Sequence, residues 1–158
     1  MCQTWLATPD VNLLFVCSGN TCRSPMAEAL AKKIAERRGI TDVNVSSAGT
    51  NAWDSVPATD EALLVGMERE LDLTGHRARK LTPEIVSEAD LIFVMTPGHL
   101  EQVKQLGGRG KVHVIDEYAS GTSNAGITDP YGGDLDAYRQ TADLLERELE
   151  KLFDRLKT

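Results

Sequence analysis

The sequence predicts an α/β fold, with one four-stranded parallel sheet and helices on both faces. Short apolar or β-branched segments alternate with longer segments of helical periodicity, which is the pattern of strands joined by crossover helices. The 158 residues suffice for a single domain with an ordinary hydrophobic core. We expect this domain to cover residues 11–158, after a short N-terminal extension of residues 1–10. The predicted strands are 11–16, 43–47, 91–95 and 111–115.

The first helix is predicted over about residues 25–38. Met26, Leu30 and Ile34 are four residues apart, so they share one face of a helix. Gly39 follows, and glycine commonly ends a helix because it adopts the left-handed conformation without strain. The helix therefore begins a short loop away from the end of the first strand.

Four further helices are predicted along the rest of the chain. One covers about residues 58–71, and another follows Pro97. A shorter helix begins at Thr82, which caps it and precedes a proline suited to the first turn. The last covers about residues 135–156, because its apolar residues step by four and three along one buried stripe. The stripe residues are Tyr138, Ala142, Leu145, Leu149, Leu152 and Leu156.

Residues 17–25, Cys-Ser-Gly-Asn-Thr-Cys-Arg-Ser-Pro, connect the first strand to the first helix. Such a glycine-containing loop before a helix binds phosphate, because backbone N–H groups converge there and the helix dipole favours an anion. Cys17 opens this loop, and positive surroundings stabilise a thiolate. Arg23 closes it, and an arginine binds two phosphoryl oxygens at once. The loop therefore predicts a cysteine that attacks a phosphate ester or phosphoramidate.

Composition argues against several classes of function. The net charge of −7 is unsuited to general nucleic-acid binding, and no apolar run reaches membrane-spanning length. Residues 1–10 lack the basic and apolar regions of a signal peptide. The three cysteines Cys2, Cys17 and Cys22 do not make a disulfide framework, and no CxxC pair or histidine cluster indicates a metal. We expect a cytoplasmic protein, where the nucleophilic thiol stays reduced.

Two motifs resemble the low molecular weight protein tyrosine phosphatase family. The first is residues 16–28, Val-Cys-Ser-Gly-Asn-Thr-Cys-Arg-Ser-Pro-Met-Ala-Glu, and the second is residues 129–133, Asp-Pro-Tyr-Gly-Gly. Both occur in the family's order, and the resemblance covers the chain except its first ten residues. It implies strand order 2-1-3-4 and hydrolysis of phosphorylated protein side chains through a phosphocysteine intermediate. We expect a monomer that needs no metal or organic cofactor and binds neither nucleic acid nor membrane.

The predicted catalytic residues are Cys17, Arg23 and Asp129. Cys17 is the expected nucleophile, although a cysteine at a strand end can also be a small buried hydrophobic residue. Arg23 is the expected bidentate ligand of the phosphoryl group. By itself, Asp129 before Pro130 equally fits a simple turn. The resemblance implies that it is the general acid, and we expect it to follow a mobile loop of residues 119–128.

The remaining residues of the loop are expected to bind phosphate or support its shape. Ser24 is predicted to cap the helix and to stabilise the thiolate next to it. The resemblance implies that Asn20, Ser47 and His76 form a hydrogen-bond network beneath the loop. Without the resemblance to the family, we would interpret Ser47 as a strand-end residue and His76 as a surface residue. The phosphate-binding residues are Ser18, Gly19, Asn20, Thr21, Cys22 and Ser24.

Two aromatic residues and a second cysteine are the last site predictions. Trp53 and Tyr131 are expected to form walls of the pocket, with ordinary packing as the alternative for each. Cys22 is near enough to Cys17 for a disulfide. The resemblance implies a reversible redox pair that protects the nucleophile from overoxidation, with a merely packed thiol as the alternative.

The substrate prediction depends on Thr21 and on the glycine pair of residues 132–133. The resemblance at both positions is to protein arginine phosphatases, whereas tyrosine-specific members usually carry a larger aliphatic residue in place of the threonine. A β-branched hydroxyl residue is smaller and can hydrogen-bond, which favours a polar guanidinium over a phenyl ring. Phosphoarginine is therefore the predicted substrate, with phosphotyrosine as the alternative. Arsenate reductase is disfavoured because no cysteine follows Cys22, and a non-catalytic phosphate-binding module because the catalytic set is complete.

Overall fold

A computed structural model of the protein describes residues 10–121 and 126–156. The predicted extension up to residue 9, with Cys2, and residues 122–125 of the predicted mobile loop lie outside the described residues. The elements in chain order are β1 (Val11–Cys17), α1 (Arg23–Arg37), β2 (Val43–Gly49), α2 (Asp60–Glu68), α3 (Pro83–Glu88), β3 (Leu91–Val94), α4 (Pro97–Val103), a π-helical turn (Lys104–Gly108), β4 (Val112–Val114), α5 (Ile115–Ser120) and α6 (Leu135–Leu156).

The four strands form one parallel sheet in the order β2-β1-β3-β4, as predicted. β1 is central and pairs with β2 on one side and with β3 on the other. Its last residue, Cys17, pairs in register with Gly49 at the end of β2. The loop that begins at Cys17 therefore lies at the carboxyl edge of the sheet, between the ends of two neighbouring strands.

Alternate residues of β1 enter two different cores, which confirms helices on both faces. Leu13 and Phe15 are fully buried against the side that carries α1 and α6. Leu14 and Val16 face the opposite side, which carries α3 and α4. Successive side chains of a strand point to opposite faces, so a strand covered on both sides is apolar throughout. Burial of β1 on both faces makes it a firm support for the loop that follows it.

The long helices have the predicted faces, with small differences at their ends. In α6 the predicted stripe is buried from Tyr138 to Leu152, and Leu156 packs against the same core. α1 begins at Arg23, two residues before the predicted start, and Gly39 follows its end with a φ of 72°. The Thr82 side chain accepts a hydrogen bond from the Ile85 N–H at 3.2 Å, as expected of a cap.

One helix is missing from the prediction. The sequence predicts residue 115 in the fourth strand and residues 119 and 120 in a loop, but α5 covers Ile115–Ser120. This helix is too short to show an apolar period, and it follows the three-residue strand β4 without a break. In the part of the chain that is described, no helix is both long and apolar enough to cross a membrane.

Candidate active site

The nucleophile candidate lies at the base of the loop between β1 and α1. Cys17 is 1% exposed, and its Sγ is 2.9 Å from the Ser24 Oγ. The backbone N–H of Asn20 donates to the same sulfur at 3.3 Å. Two hydrogen-bond contacts therefore converge on the Cys17 sulfur from its own loop. Ser24 does not cap the helix as predicted, because α1 begins at Arg23 and the cap position is Cys22.

Asn20 ties the loop to the protein beneath it. It is fully buried and has a φ of 57°, a conformation that asparagine tolerates better than most residues. Its side-chain Nδ2 donates to the Ser24 Oγ at 2.8 Å and to the Ser47 Oγ at 2.9 Å. The His76 Nε2 lies 2.7 Å from its carbonyl oxygen. The structure thus brings together the three residues expected beneath the loop, Asn20, Ser47 and His76.

Two residues that sequence reasoning did not select extend this network. The backbone N–H of Arg79 donates to the Asn20 Oδ1 at 3.0 Å, and its Nε donates to the Ser47 carbonyl at 2.9 Å. The Ser47 hydroxyl donates to the Glu28 Oε1 at 2.6 Å. Glu28 is the last residue of the quoted motif, so the motif contained a signal for it. No local pattern marks Arg79, which is 59 residues from Asn20.

Arg23 is buried at the mouth of the loop and is only partly neutralised. Its Nη1 donates to the Ile127 carbonyl at 3.0 Å, and its Nη2 is 3.5 Å from the Asp129 Oδ2. The Nε atom is buried and has no hydrogen-bond partner among the described residues. A buried donor of a charged group is costly without a partner. The guanidinium is therefore suited to binding an anion in the adjacent cleft.

Asp129 forms an ion pair with this guanidinium. Its Oδ1 accepts hydrogen bonds from the Tyr131 N–H at 3.0 Å and from the Cys22 thiol at 3.7 Å. Its carboxylate is about half exposed, at 49%. The structure therefore brings Cys17, Arg23 and Asp129 to one cleft from the two motifs.

The segment before Asp129 is anchored where it is described, although it was predicted to belong to a mobile loop. The Asp116 Oδ2 accepts a hydrogen bond from the Gly126 N–H at 3.0 Å, and the Ile127 N–H donates to the Met95 carbonyl at 2.7 Å. Gly126 has a φ of 85°, and a Cβ there would lie 2.4 Å from the Met95 oxygen. Only glycine permits this close approach.

The cleft has a volume of about 780 Å³ and is lined by both predicted aromatic walls. Trp53 is 80% exposed and Tyr131 is 71% exposed, so neither is an ordinary packing residue. Ser18 and Thr21 of the loop also line the cleft. Exposed rings that line the cleft are placed to contact a side chain that enters it.

Cys22 is buried near Cys17 and is not bonded to it. Both Cys17 and Cys22 are free thiols. Burial, together with the negative charges of Cys17 and Asp129, raises the pKa of Cys22 to about 11. Cys22 is thus a neutral thiol at physiological pH. Among the described residues, no three His, Cys, Asp or Glu side chains come together in a way that could hold a metal ion.

A buried histidine that sequence reasoning missed contacts the first half of the loop. His99 is 6% exposed, and its Nε2 is 2.8 Å from the Ser18 Oγ. Its Nδ1 is 3.0 Å from the Thr96 Oγ1. Burial and the nearby positive charge of Arg23 lower the pKa of His99 to about 4, against the opposing effect of Asp129. Its position just after β3 could have indicated it, because ligands bind at the carboxyl ends of strands.

Comparison with known proteins agrees with this geometry. Residues 12–158 match the family described as low molecular weight phosphotyrosine protein phosphatase, so the chain belongs to that family. It is 44% identical to a protein-arginine-phosphatase of Bacillus subtilis over 149 residues, covering 93% of this chain and 97% of that protein. It is 37% identical to the low molecular weight protein-tyrosine-phosphatase PtpB of Staphylococcus haemolyticus, covering 90% and 97%.

A solved structure relates the same fold to a phosphoenzyme. The YwlE arginine phosphatase, as a cysteine-to-serine mutant with a phosphorylated active-site serine, superposes with a TM-score of 0.89. It is 44% identical to this chain, and the match covers 94% of this chain and 97% of that one. These matches support the protein-arginine-phosphatase-like branch of the family for this chain.

Proposed function

We propose that this protein is a cysteine-dependent protein phosphatase that hydrolyses phosphoarginine in proteins. The observation that carries the proposal is the meeting of Cys17, Arg23 and Asp129 at one cleft, with the buried Nε of Arg23 lacking a partner among the described residues. A nucleophile, an anion ligand and a proton donor are the groups that phosphoryl transfer through a covalent intermediate requires.

In the first step the Cys17 sulfur attacks the phosphorus atom. The P–S bond forms while the P–N bond to the guanidine breaks, and Asp129, which reacts in its protonated form, gives its proton to the departing nitrogen. Arg23 and the N–H groups of the loop stabilise the equatorial oxygens of the transition state. The products are an unphosphorylated arginine side chain on the protein substrate and a phosphocysteine on this protein.

In the second step water attacks the phosphorus of the phosphocysteine. Asp129, now a carboxylate, accepts a proton from this water. The P–S bond breaks, inorganic phosphate leaves, and the Cys17 thiolate is restored. The Ser24 hydroxyl, 2.9 Å from the sulfur, stabilises the thiolate as the leaving group.

Thr21 is the residue that we assign to the choice of substrate. It lines the cleft, and its small polar side chain favours a guanidine over a phenyl ring. The relatives named as protein-arginine-phosphatases support this assignment. Phosphotyrosine is the second candidate, because the PtpB relative is named as a tyrosine phosphatase and because Trp53 and Tyr131 border the cleft.

Other properties follow from this proposal as predictions. We expect a monomer that acts in the cytoplasm, because catalysis requires a reduced Cys17. We expect mild oxidation to join Cys17 and Cys22 in a reversible disulfide. We expect residues 11–158 to be sufficient for activity, with residues 1–10 as an extension.

The test is phosphate release by the reduced protein from matched peptides that carry phosphoarginine or phosphotyrosine. We expect faster phosphate release from the phosphoarginine peptide than from the phosphotyrosine peptide. Cys17→Ser should release phosphate from neither peptide. A preference for phosphotyrosine would retain the mechanism and reject the substrate. No release from either peptide would reject the proposed function.

Thr21→Ile tests the choice of substrate. The larger aliphatic side chain should move the ratio of the two kcat/KM values toward phosphotyrosine by at least tenfold, equivalent to about 1.4 kcal/mol. Thr21→Ser is the matched control, since it keeps the hydroxyl and should keep the preference. An unchanged ratio in Thr21→Ile would show that this residue does not select the substrate.

A further inference from the structure

The phosphate-binding loop is held from two sides. The network of Asn20 holds its second half, whereas its first half is held through Ser18 by His99, 81 residues later in the chain. We propose that His99 is a positioning residue of the active site: with Thr96, it orients the Ser18 hydroxyl as a further hydrogen-bond donor to the bound phosphoryl group. This inference rests on the proposed function, because the phosphoryl group is the substrate of the same site.

The geometry leaves the imidazole of His99 little freedom. Its two nitrogens contact the Ser18 Oγ at 2.8 Å and the Thr96 Oγ1 at 3.0 Å, and the side chain is buried. The Ser18 carbonyl accepts a separate hydrogen bond from the Asn51 N–H at 2.9 Å. Because the Ser18 backbone is held independently, the contact with His99 acts on the orientation of the hydroxyl of Ser18, a residue that lines the cleft.

The charge state of His99 determines what this contact does. Burial and the charge of Arg23 keep its pKa at about 4, so the ring is neutral at physiological pH. In a neutral imidazole one nitrogen donates and the other accepts. If Thr96 donates to Nδ1, then Nε2–H donates to the Ser18 Oγ, and the Ser18 hydrogen remains available.

A bound phosphoryl group selects between the two possible directions of this chain of hydrogen bonds. In the direction from Thr96 through His99 to Ser18, the Ser18 O–H points its hydrogen at a phosphoryl oxygen. In the reverse direction, the lone pairs of the Ser18 oxygen face an anion, which is unfavourable. The substrate therefore favours the first direction, and His99 transmits it without changing its charge.

Two substitutions separate the two nitrogens of His99. The amide of His99→Asn reaches the place of Nδ1 and keeps a partner for Thr96, but it loses Ser18. The longer side chain of His99→Gln reaches the place of Nε2 and keeps the contact with Ser18. The readouts are kcat and KM for p-nitrophenyl phosphate, and the inhibition constant of inorganic phosphate. Neither readout depends on a preference for phosphoarginine.

We expect His99→Asn to lower kcat/KM and to weaken inhibition by inorganic phosphate about 3–10-fold each, as for loss of one neutral hydrogen bond. His99→Gln should stay within about twofold of the wild type. In a Ser18→Ala background, His99→Asn should have no further effect, because both changes remove the same bond. His113→Asn is the control: this histidine contacts Phe93 and Tyr118 instead of the loop, and its change should leave both constants unaltered.

Equal losses in His99→Asn and His99→Gln would overturn the inference, as would an undiminished effect of His99→Asn in the Ser18→Ala background. Equal losses would assign His99 a role in folding alone, and thermal unfolding of both variants would then show the same loss. An undiminished effect in the Ser18→Ala background would show that His99 acts independently of Ser18. A wild-type protein that neither hydrolyses the aryl phosphate nor binds inorganic phosphate would overturn the proposed function and this inference together.

Discussion

Replacing Asn20 by alanine measures how far the shape of the phosphate-binding loop depends on one side chain. The Asn20 side chain makes three hydrogen bonds, with the Ser24 Oγ, the Ser47 Oγ and the Arg79 N–H. Each neutral bond contributes about 1 kcal/mol to the free energy of unfolding, or about 3 kcal/mol for the three. Alanine would also keep a φ of 57°, at a cost of about 1 kcal/mol.

The free energy of unfolding should therefore decrease by about 4 kcal/mol in Asn20→Ala, a large part of the stability of a domain this size. Asn20→Gly should lose about 1 kcal/mol less, because glycine adopts the same backbone conformation without strain. Glu70→Ala is the matched control for the backbone, since Glu70 is exposed and has a φ of 62°. It should lose about 1 kcal/mol at most.

Urea unfolding followed by circular dichroism measures these differences, and the same preparations give kcat/KM for an aryl phosphate. We expect kcat/KM of Asn20→Ala to fall about 100-fold, because displacement of the loop by about 1 Å has an effect of that size. If the free energy of unfolding of Asn20→Ala lies within about 1 kcal/mol of the wild-type value, the network makes no net contribution to stability and the reasoning is refuted. If it is destabilised but fully active, the network stabilises the fold without shaping the loop.

Three further experiments test other parts of the site. Because the pKa of Cys22 is raised to about 11, iodoacetamide at pH 7.5 should alkylate Cys17 and leave Cys22 free, as peptide mass spectrometry would show. Because the pKa of His99 falls from its usual 6.5 to about 4, only the unfolded chain binds this proton between those values. The free energy of unfolding should then decrease as the pH falls from about 7 to 4, by up to about 3 kcal/mol more than in His99→Asn. Gly126→Ala should lower kcat for poor leaving groups more than for good ones, because a Cβ 2.4 Å from the Met95 oxygen displaces the segment before the general acid.

Each of these predictions has an outcome that contradicts it. Equal labelling of both cysteines at neutral pH would show that Cys22 is not held as a thiol. If the free energies of unfolding of the wild type and His99→Asn depend on pH in the same way, the pKa of His99 is the same in the native and unfolded states. A uniform loss with all leaving groups in Gly126→Ala would show that its anchoring does not act on proton transfer.

Much of the fold was predictable from local sequence, as was the choice of candidate residues for the site. The apolar strands, the stripe of α6 and the cap at Thr82 depend on neighbours within a few residues, so periodicity and residue type reveal them. Cys17 and Arg23 belong to one loop, and their spacing alone indicates an anion site. The resemblance to a family supplied the strand order and the distant Asp129.

The tertiary structure decided what depends on contacts between distant residues. The partnership of Ser18 with His99 spans 81 residues, and that of Arg79 with Asn20 spans 59. The anchoring of Gly126 against Met95 likewise needs the end of β3 beside the acid motif. Local sequence carries no periodic signal for such contacts, because parallel strands bring their carboxyl ends together only after the crossover helices are in place. The sequence therefore determined the candidate groups for the chemistry, and packing of the sheet determined which groups hold them in position.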